Sequence, residues 1–236
     1  MGKTIAWISA GVSSFIATYL AKDQIDEIYY IHIEDQHPDS LRFVKDCEKF
    51  LNKEIKIIQS PFKSVESACL QGGCVKVKTF AWCTKLLKQR VRKELEQNIC
   101  EGITYVWGMD INEIARAERL AESNSNQNHL FPLIEKNLSK QDCHALCFKL
   151  GIKRPLMYDL GYNNNNCIAC VKGGMGYFNK IRKDFPKEFE ARAKLERKLK
   201  SRCLKECYLD ELDPNRGNAT DEIMEECSIF CEMINL

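Results

Sequence analysis

No stretch of the 236 residues approaches the roughly 20 consecutive apolar positions that a bilayer-spanning helix needs. No apolar h-region follows the first residues either, because Lys3 and the polar turn at Ser9 interrupt it. The sequence therefore predicts a soluble, cytoplasmic protein with no membrane association. A dominant charge is also missing, since 35 Lys and Arg against 33 Asp and Glu leave a net charge of +2. That balance neither demands nor excludes nucleic acid, although Lys85, Lys88, Arg90, Arg92 and Lys93, and the stretch from Lys180 to Arg202, are locally basic. There is no internal repeat, and neither GxxxxGK(S/T) nor GxGxxG is present.

Cysteine, by contrast, is abundant, with 13 in the chain. In a secreted protein that number would suggest a disulfide scaffold. In a reducing compartment the same residues read as metal ligands, reactive thiols or small buried hydrophobes. The length suits one substantial domain, or a domain with a C-terminal elaboration.

Apolar runs at Thr4 to Ile8, Glu27 to Ile33, Ile55 to Ile58 and Ile103 to Trp107 read as strands. Helical patterns fall between or beside them at Val12 to Ala21, Ser40 to Leu51, Phe80 to Gln97 and Asn112 to Ala121. This alternation predicts an α/β fold, a mostly parallel sheet flanked by helices through βαβ crossovers. Glu122 to Asn128 reads as a polar loop, and Ser139 as the N-cap of a further helix. After Pro155 an asparagine- and glycine-rich stretch predicts a long functional loop. Pro186 to Arg202 reads as a charged helix with a solvated face, and Asp221 to Ile234 as a closing helix. The expected division is an α/β domain over 1–160 and a cysteine-rich loop with a helical extension over 161–236.

Two stretches carry chemistry. The turn from Ser9 to Ser14 sits between a strand and a helix, where free N–H groups and the macrodipole attract anions. Gly11 permits unusual dihedrals, Ala10 is nearly as small, and Ser9, Ser13 and Ser14 supply hydroxyls. By themselves these residues fit a phosphate loop or a plain tight turn. The second stretch is Cys167-Ile-Ala-Cys170, whose spacing lets two thiolates reach one metal, or form a redox pair. Gly173, Gly174 and Gly176 follow, so that the backbone can fold closely. Cys143 and Cys147, Cys203 and Cys207, and Cys227 and Cys231 each pair at i and i+4, on one helix face if helical; small core residues are the plain reading.

Several blocks, in order, resemble the sulfonucleotide (PAPS/APS) reductase family of the adenine nucleotide α-hydrolase, or PP-loop, superfamily. They are "SAGVSS", "IEDQHPDSLRFV", "WCTKLLK", "GMDINEIARAER", "PLMYDLGYNNNNCIACVKGG" and "EECSIFCE". The resemblance implies a Rossmann-like (HUP-type) fold with an adenine nucleotide (PAPS, APS or ATP) at Ser9, Ala10, Gly11, Ser13 and Ser14. It implies further nucleotide contacts from Ile33, Glu34, Asp35, Gly108 and Arg116, and makes Lys85, Lys88 and Arg119 candidate anion contacts. Glu113 and Arg116, three apart, also suit a helix ion pair.

Cluster-bearing members of the family use a Cys-Cys pair and a downstream CxxC, so Cys83, Cys167 and Cys170 carry over as ligands of a 4Fe-4S cluster. Trp82 stands where the first cysteine of the pair would be. Three thiolates leave one iron open, or Cys74, Cys227 or Cys231 fills the fourth position; zinc is the alternative metal. The family's nucleophile matches Cys227, whose thiolate would attack the sulfonate sulfur before a thioredoxin-like thiol donor resolves the adduct. Here Ser228 and Phe230 replace the family's Gly and His. Related enzymes thiolate tRNA or DNA with ATP, usually with an acidic loop residue for magnesium. Ser13 stands there, which weakens the case for magnesium and ATP cleavage. Three functions stay open: sulfonucleotide reduction, ATP-dependent thiolation of tRNA or DNA, and a non-catalytic nucleotide-binding module with a structural metal. A homodimer is compatible with each.

Overall fold

The computed structural model describes residues 2–77, 80–99 and 102–218. Its first elements are strand β1 (Lys3–Ile8), helix α1 (Val12–Leu20), β2 (Glu27–His32), α2 (Asp39–Leu51), β3 (Ile55–Gln59) and α3 (Val65–Gly72). A π-helical segment, Thr84–Gln89, runs into α4 (Arg90–Glu96) and then β4 (Ile103–Val106). A 3-10 turn (Ile111–Glu113) opens α5 (Ile114–Ser123), followed by β5 (Asn128–Leu130), α6 (Pro132–Glu135), α7 (Lys140–Lys149) and α8 (Leu156–Asp159). Helices α9 (Met175–Asp184) and α10 (Pro186–Leu199) and a 3-10 turn (Leu209–Glu211) complete the described chain.

The expected α/β architecture is present. Five strands form a parallel sheet in the order β3-β2-β1-β4-β5. β1 pairs with β2 through Ile5 and Glu27, and with β4 through Ala6 and Val106. The chain builds outward from β1 to β3 and then crosses back to β4, so the strand order reverses between β1 and β4. In open parallel sheets that reversal leaves a crevice beyond the carboxyl ends of the two strands, where ligands bind.

The chain gathers into two compact units. The first comprises Met1–Ile31, Pro38–Ile58 and Glu94–Asp159; the second comprises His32–His37, Gln59–Lys93 and Leu160–Leu236. The core of the first buries Ile8, Phe15, Ile16, Tyr30 and Phe43, with Phe15 edge-on to Phe43 at 5.9 Å between centroids. Cys47, Cys143 and Cys147 belong to this core, as small hydrophobes, and burial pushes the Cys147 thiol up to about 11. The Ser139 cap is formed reciprocally, with Ser139 accepting from the Asp142 amide at 3.2 Å and donating to Asp142 Oδ2 at 2.6 Å.

Four sequence expectations need correction. The charged helix expected over Pro186 to Arg202 is α10, whose Lys187, Glu188, Glu190, Lys194, Arg197 and Lys198 are solvated as expected, but it also buries Arg192 and Glu196 along with Phe189, Ala193 and Leu195. The single amphipathic helix over Phe80 to Gln97 is a π segment followed by a short α-helix. Cys203 and Cys207 follow α10 in irregular chain rather than sharing a helix face. The long loop after Pro155 contains α8, and α9 begins inside its glycines at Met175. The closing helix expected at 221–234 lies outside the described residues.

Candidate functional site

In the first unit, β1 ends at Ile8 and the next six residues turn into α1. Ala10 has φ +60, the left-handed region that a side chain disfavours, so the turn keeps a glycine-type conformation without the glycine. Hydroxyls hold the turn. Ser14 Oγ accepts from the Ser9 amide and Ser9 Oγ, both at 3.1 Å, and donates to the Gly11 carbonyl at 2.8 Å. The Gly11 amide donates to Ser9 Oγ at 3.3 Å. Among the described residues the first turn of α1 has no side-chain cap, and its Val12 amide meets the Tyr158 hydroxyl at a long 3.4 Å. Uncapped first-turn amides at a sheet's switch point form an anion-binding arrangement.

Gly108, two residues beyond β4, lies against this turn, and its role is steric. A Cβ there would stand 2.6 Å from Ser14 Cα and 2.7 Å from the Ser14 nitrogen. Arg116, on α5, is ion-paired with Glu113 three residues earlier, whose other carboxylate oxygen accepts from the Asp110 amide at 3.2 Å. Arg119, on the same helix, is exposed.

The second unit holds the other predicted residues. Cys83, Cys167 and Cys170 line one pocket together with Ile33, Val65, Thr84, Leu87, Lys88 and Val171. The π segment explains the first wall. At α-helical pitch the fifth residue after Cys83 would turn about 140° away, whereas π closure stacks it over the start of the turn, so Lys88 joins Cys83, Thr84 and Leu87 on the lining. Lys88 is buried, while Lys85 is exposed and packs over the Phe80 and Trp82 rings at 5.2 and 4.9 Å. Cys74 follows the left-handed Gly73 at the end of α3 and is absent from the lining.

The CxxC loop contributes Cys167 and Cys170 to the lining, and several groups hold its backbone. Ala169 is left-handed at φ +52. The Tyr177 hydroxyl accepts from the Cys170 amide at 3.1 Å and donates to the Cys167 carbonyl at 3.2 Å. Gly173 makes room for this ring, because a Cβ there would stand 2.1 Å from it. The Ile168 amide donates to the Asp35 carbonyl at 2.8 Å, and Arg192 Nε donates to the Ala169 carbonyl at 2.9 Å. Asp35, expected at the nucleotide, has its carboxylate engaged elsewhere: Oδ1 accepts from Arg192 at 2.9 Å and Oδ2 from the Val65 amide at 2.6 Å. Ile33 faces the thiol pocket, and the Glu34 amide donates to the Lys63 carbonyl at 3.1 Å.

Among the described residues the lining is thiol, amine, hydroxyl and aliphatic, with neither carboxylate nor imidazole. Such a soft donor set suits zinc, copper(I) or an iron–sulfur cluster. Among the described residues no three Cys, His, Asp or Glu side chains converge as the ligands of one ion must. In an iron–sulfur cluster, by contrast, the cysteines bind separate irons and need not converge on one point. Sequence reasoning did not find Tyr177, Thr84 or Arg192. Arg192 was hidden in a charge run, although it lies three residues from Phe189 and one from Ala193, on one helical stripe. Cys227 and Cys231 lie outside the described residues.

No protein-family model matches the chain. An uncharacterized protein of Methanocaldococcus jannaschii is 23% identical over 186 residues, which cover 75% of this chain and 37% of that protein. The chain thus matches little more than a third of that relative's length. Among solved structures, the phosphoadenylyl-sulfate (PAPS) reductase of Candida auris, as its phosphate complex, is similar at 16% identity. The TM-score is 0.48, over 71% of this chain and 82% of that one. The fold described above stands on its own strand order and register. No helix among the described residues is long and apolar enough to cross a membrane.

Proposed function

We propose that this chain is a PAPS-reductase-like enzyme that binds an adenine nucleotide and carries out sulfur chemistry, with Cys83, Cys167 and Cys170 holding a 4Fe-4S cluster. The observation that carries the reading is the shared pocket: Cys83 lines it together with Cys167 and Cys170, more than 80 residues away in sequence, beside a buried lysine. The uncapped turn at Ser9–Ser14 is the proposed phosphate site, its amides donating to the anion and its hydroxyls holding the turn's shape. A bound cluster would add a fixed charge and, if one iron lacks a cysteine, a position for a sulfur ligand. Lys88 would place an ammonium beside the sulfur-rich group.

In the reductase reaction, Cys227 Sγ attacks the sulfonate sulfur, the S–O bond to the nucleotide breaks, and the nucleotide leaves with that bond's electron pair. A thioredoxin-like dithiol then displaces sulfite, being oxidised to a disulfide as it restores the cysteine. A second reading, ATP-dependent thiolation of tRNA or DNA, is favoured by Ser228 and Phe230 beside Cys227, where the reductase pattern has Gly and His. Anaerobic purification tests the metal: a brown protein with iron and sulfide, bleached in Cys167→Ser, is expected, and stoichiometric zinc in a colourless protein would overturn it. Separate incubation with PAPS, APS, and ATP plus tRNA or DNA tests the reaction. Sulfite release marks the reductase, AMP or pyrophosphate release marks thiolation, and tight binding without turnover marks a non-catalytic module.

A further inference from the structure

We propose that Arg192 is the positioning residue of the thiol pocket: its guanidinium ties the Cys167–Cys170 loop to Asp35, so that both thiols face the pocket in fixed register. The inference deepens the reading of Cys167 and Cys170 as working thiols and rests on it.

Arg192 comes from the middle of α10 and is 5% exposed. Burying a guanidinium is costly unless it is paired and hydrogen-bonded, and here both conditions are met on two sides. Nε holds the Ala169 carbonyl at 2.9 Å, inside the CxxC loop, and a terminal nitrogen holds Asp35 Oδ1 at 2.9 Å. Asp35 is itself fixed. Its Oδ2 accepts from the Val65 amide at the start of α3, and its carbonyl accepts from Ile168, the next loop residue. Gln36 bridges Cys167 in antiparallel fashion. Arg192, Ala169, Ile168 and Asp35 thus close a ring around one edge of the loop, and Tyr177 clamps the other edge through Cys167 and Cys170.

Within the loop, the Cys167 and Ala169 carbonyls and the Ile168 and Cys170 amides are engaged by this surround, while Cys167 and Cys170 line the pocket. A left-handed alanine at the centre of the loop persists only where its surroundings over-determine it. The planar fork is what allows a single side chain to span a carbonyl and a carboxylate. A lysine would keep the charge and lose the span.

The test compares wild type with Arg192→Lys, Arg192→Met and Asp35→Asn. Amide exchange at Ile168 and Cys170 should accelerate by about tenfold or more in all three, the loss of one charge-assisted bond, with β1 and β4 amides unchanged. After anaerobic reconstitution with ferrous iron and sulfide, iron content should fall in Arg192→Met and Asp35→Asn. The EPR spectrum of the reduced protein should differ from wild type in Arg192→Lys, because the charge is kept and only the span is lost. Should Arg192→Met fail to fold, Arg192→Lys and Asp35→Asn decide. Wild-type exchange at Ile168 and Cys170 in those two variants would overturn the proposal, as would a wild-type EPR spectrum in Arg192→Lys. If the wild-type protein takes up no iron, the cluster reading falls and the exchange data alone decide the role of Arg192.

Discussion

Gly108 and Ser14 approach so closely that a single methyl group at 108 would overlap the Ser14 backbone, 2.6 Å from its Cα. The contact joins the chain leaving β4 to the first turn of α1, across the point where the strand order reverses. Backbone cannot give way as a flexible side-chain tip can, so Gly108→Ala should move the turn. Unfolding in urea should show a loss of about 1–3 kcal/mol, the range for overpacking. Adenine-nucleotide affinity, measured by calorimetry, should drop with it. Gly102→Ala is the control, since a Cβ there meets nothing within 4 Å, and it should stay within about 0.5 kcal/mol of wild type.

Ala10 makes the opposite case, a residue already at odds with its backbone. Its φ of +60 costs a side-chain-bearing residue about 1–2 kcal/mol relative to a glycine's freedom. Ala10→Gly should therefore raise thermal stability, by somewhat less than that because glycine also frees the unfolded chain. Ser14 already fixes the turn through the Gly11 carbonyl. Phosphate or nucleotide affinity should thus be kept or improved, and a loss of stability would show that Ala10 packs more than it strains.

Strands β1 to β4 and the helices α1, α2 and α7 were legible because their signals are local: apolar runs of strand length, a 3.6 period, and a capping serine three residues before an aspartate; β5, three residues beginning at the end of the stretch read as a polar loop, carries no such run. The CxxC loop was legible as spacing, and Cys83 as a member of a block. The family resemblance implied that they belong together, but the place of Lys88 on the same lining was not legible, since it depends on a π segment, and π closure has no composition of its own. Arg192 and Glu196 were misread because charge was taken as a sign of solvent. The apolar stripe of Phe189, Ala193 and Leu195 running beside them marked the face as buried.

Glu196 shows what that burial does. It is fully buried on α10, and its carboxylate accepts from the Cys203 amide and, at 2.7 Å, from the Leu209 amide, fastening the irregular chain after the helix. Glu196→Ala would leave two buried N–H groups without acceptors, each costing about 1–3 kcal/mol. Denaturant unfolding should show a loss in that range or above. Glu196→Gln, which keeps one acceptor oxygen, should lose clearly less. Equal losses in the two variants would mean that the charge, and not hydrogen-bond acceptance, is what the site uses.

His144, on α7, carries a pH dependence of defined sign. Burial, reinforced by the nearby charges of Arg154 and Lys140, pushes its imidazole from 6.5 down to about 4. The ring stands edge-on to Tyr158 at 4.6 Å between centroids, and the Tyr158 hydroxyl meets the Val12 amide at the start of α1. Between pH 6.5 and 4 the unfolded chain binds the proton more readily than the folded one, so the His144 contribution is complete above pH 6.5 and is lost as pH falls toward 4. Partial exposure limits the effect to about 1–2 kcal/mol. Urea titrations at pH 7 and pH 4.5 should show wild type losing more stability than His144→Phe on acidification, the difference between them being the His144 share. Equal losses would place the acid sensitivity elsewhere, and not at Glu27, because Lys56 and Tyr29 hold its carboxyl at about 2 and its contribution fades only below pH 4.5.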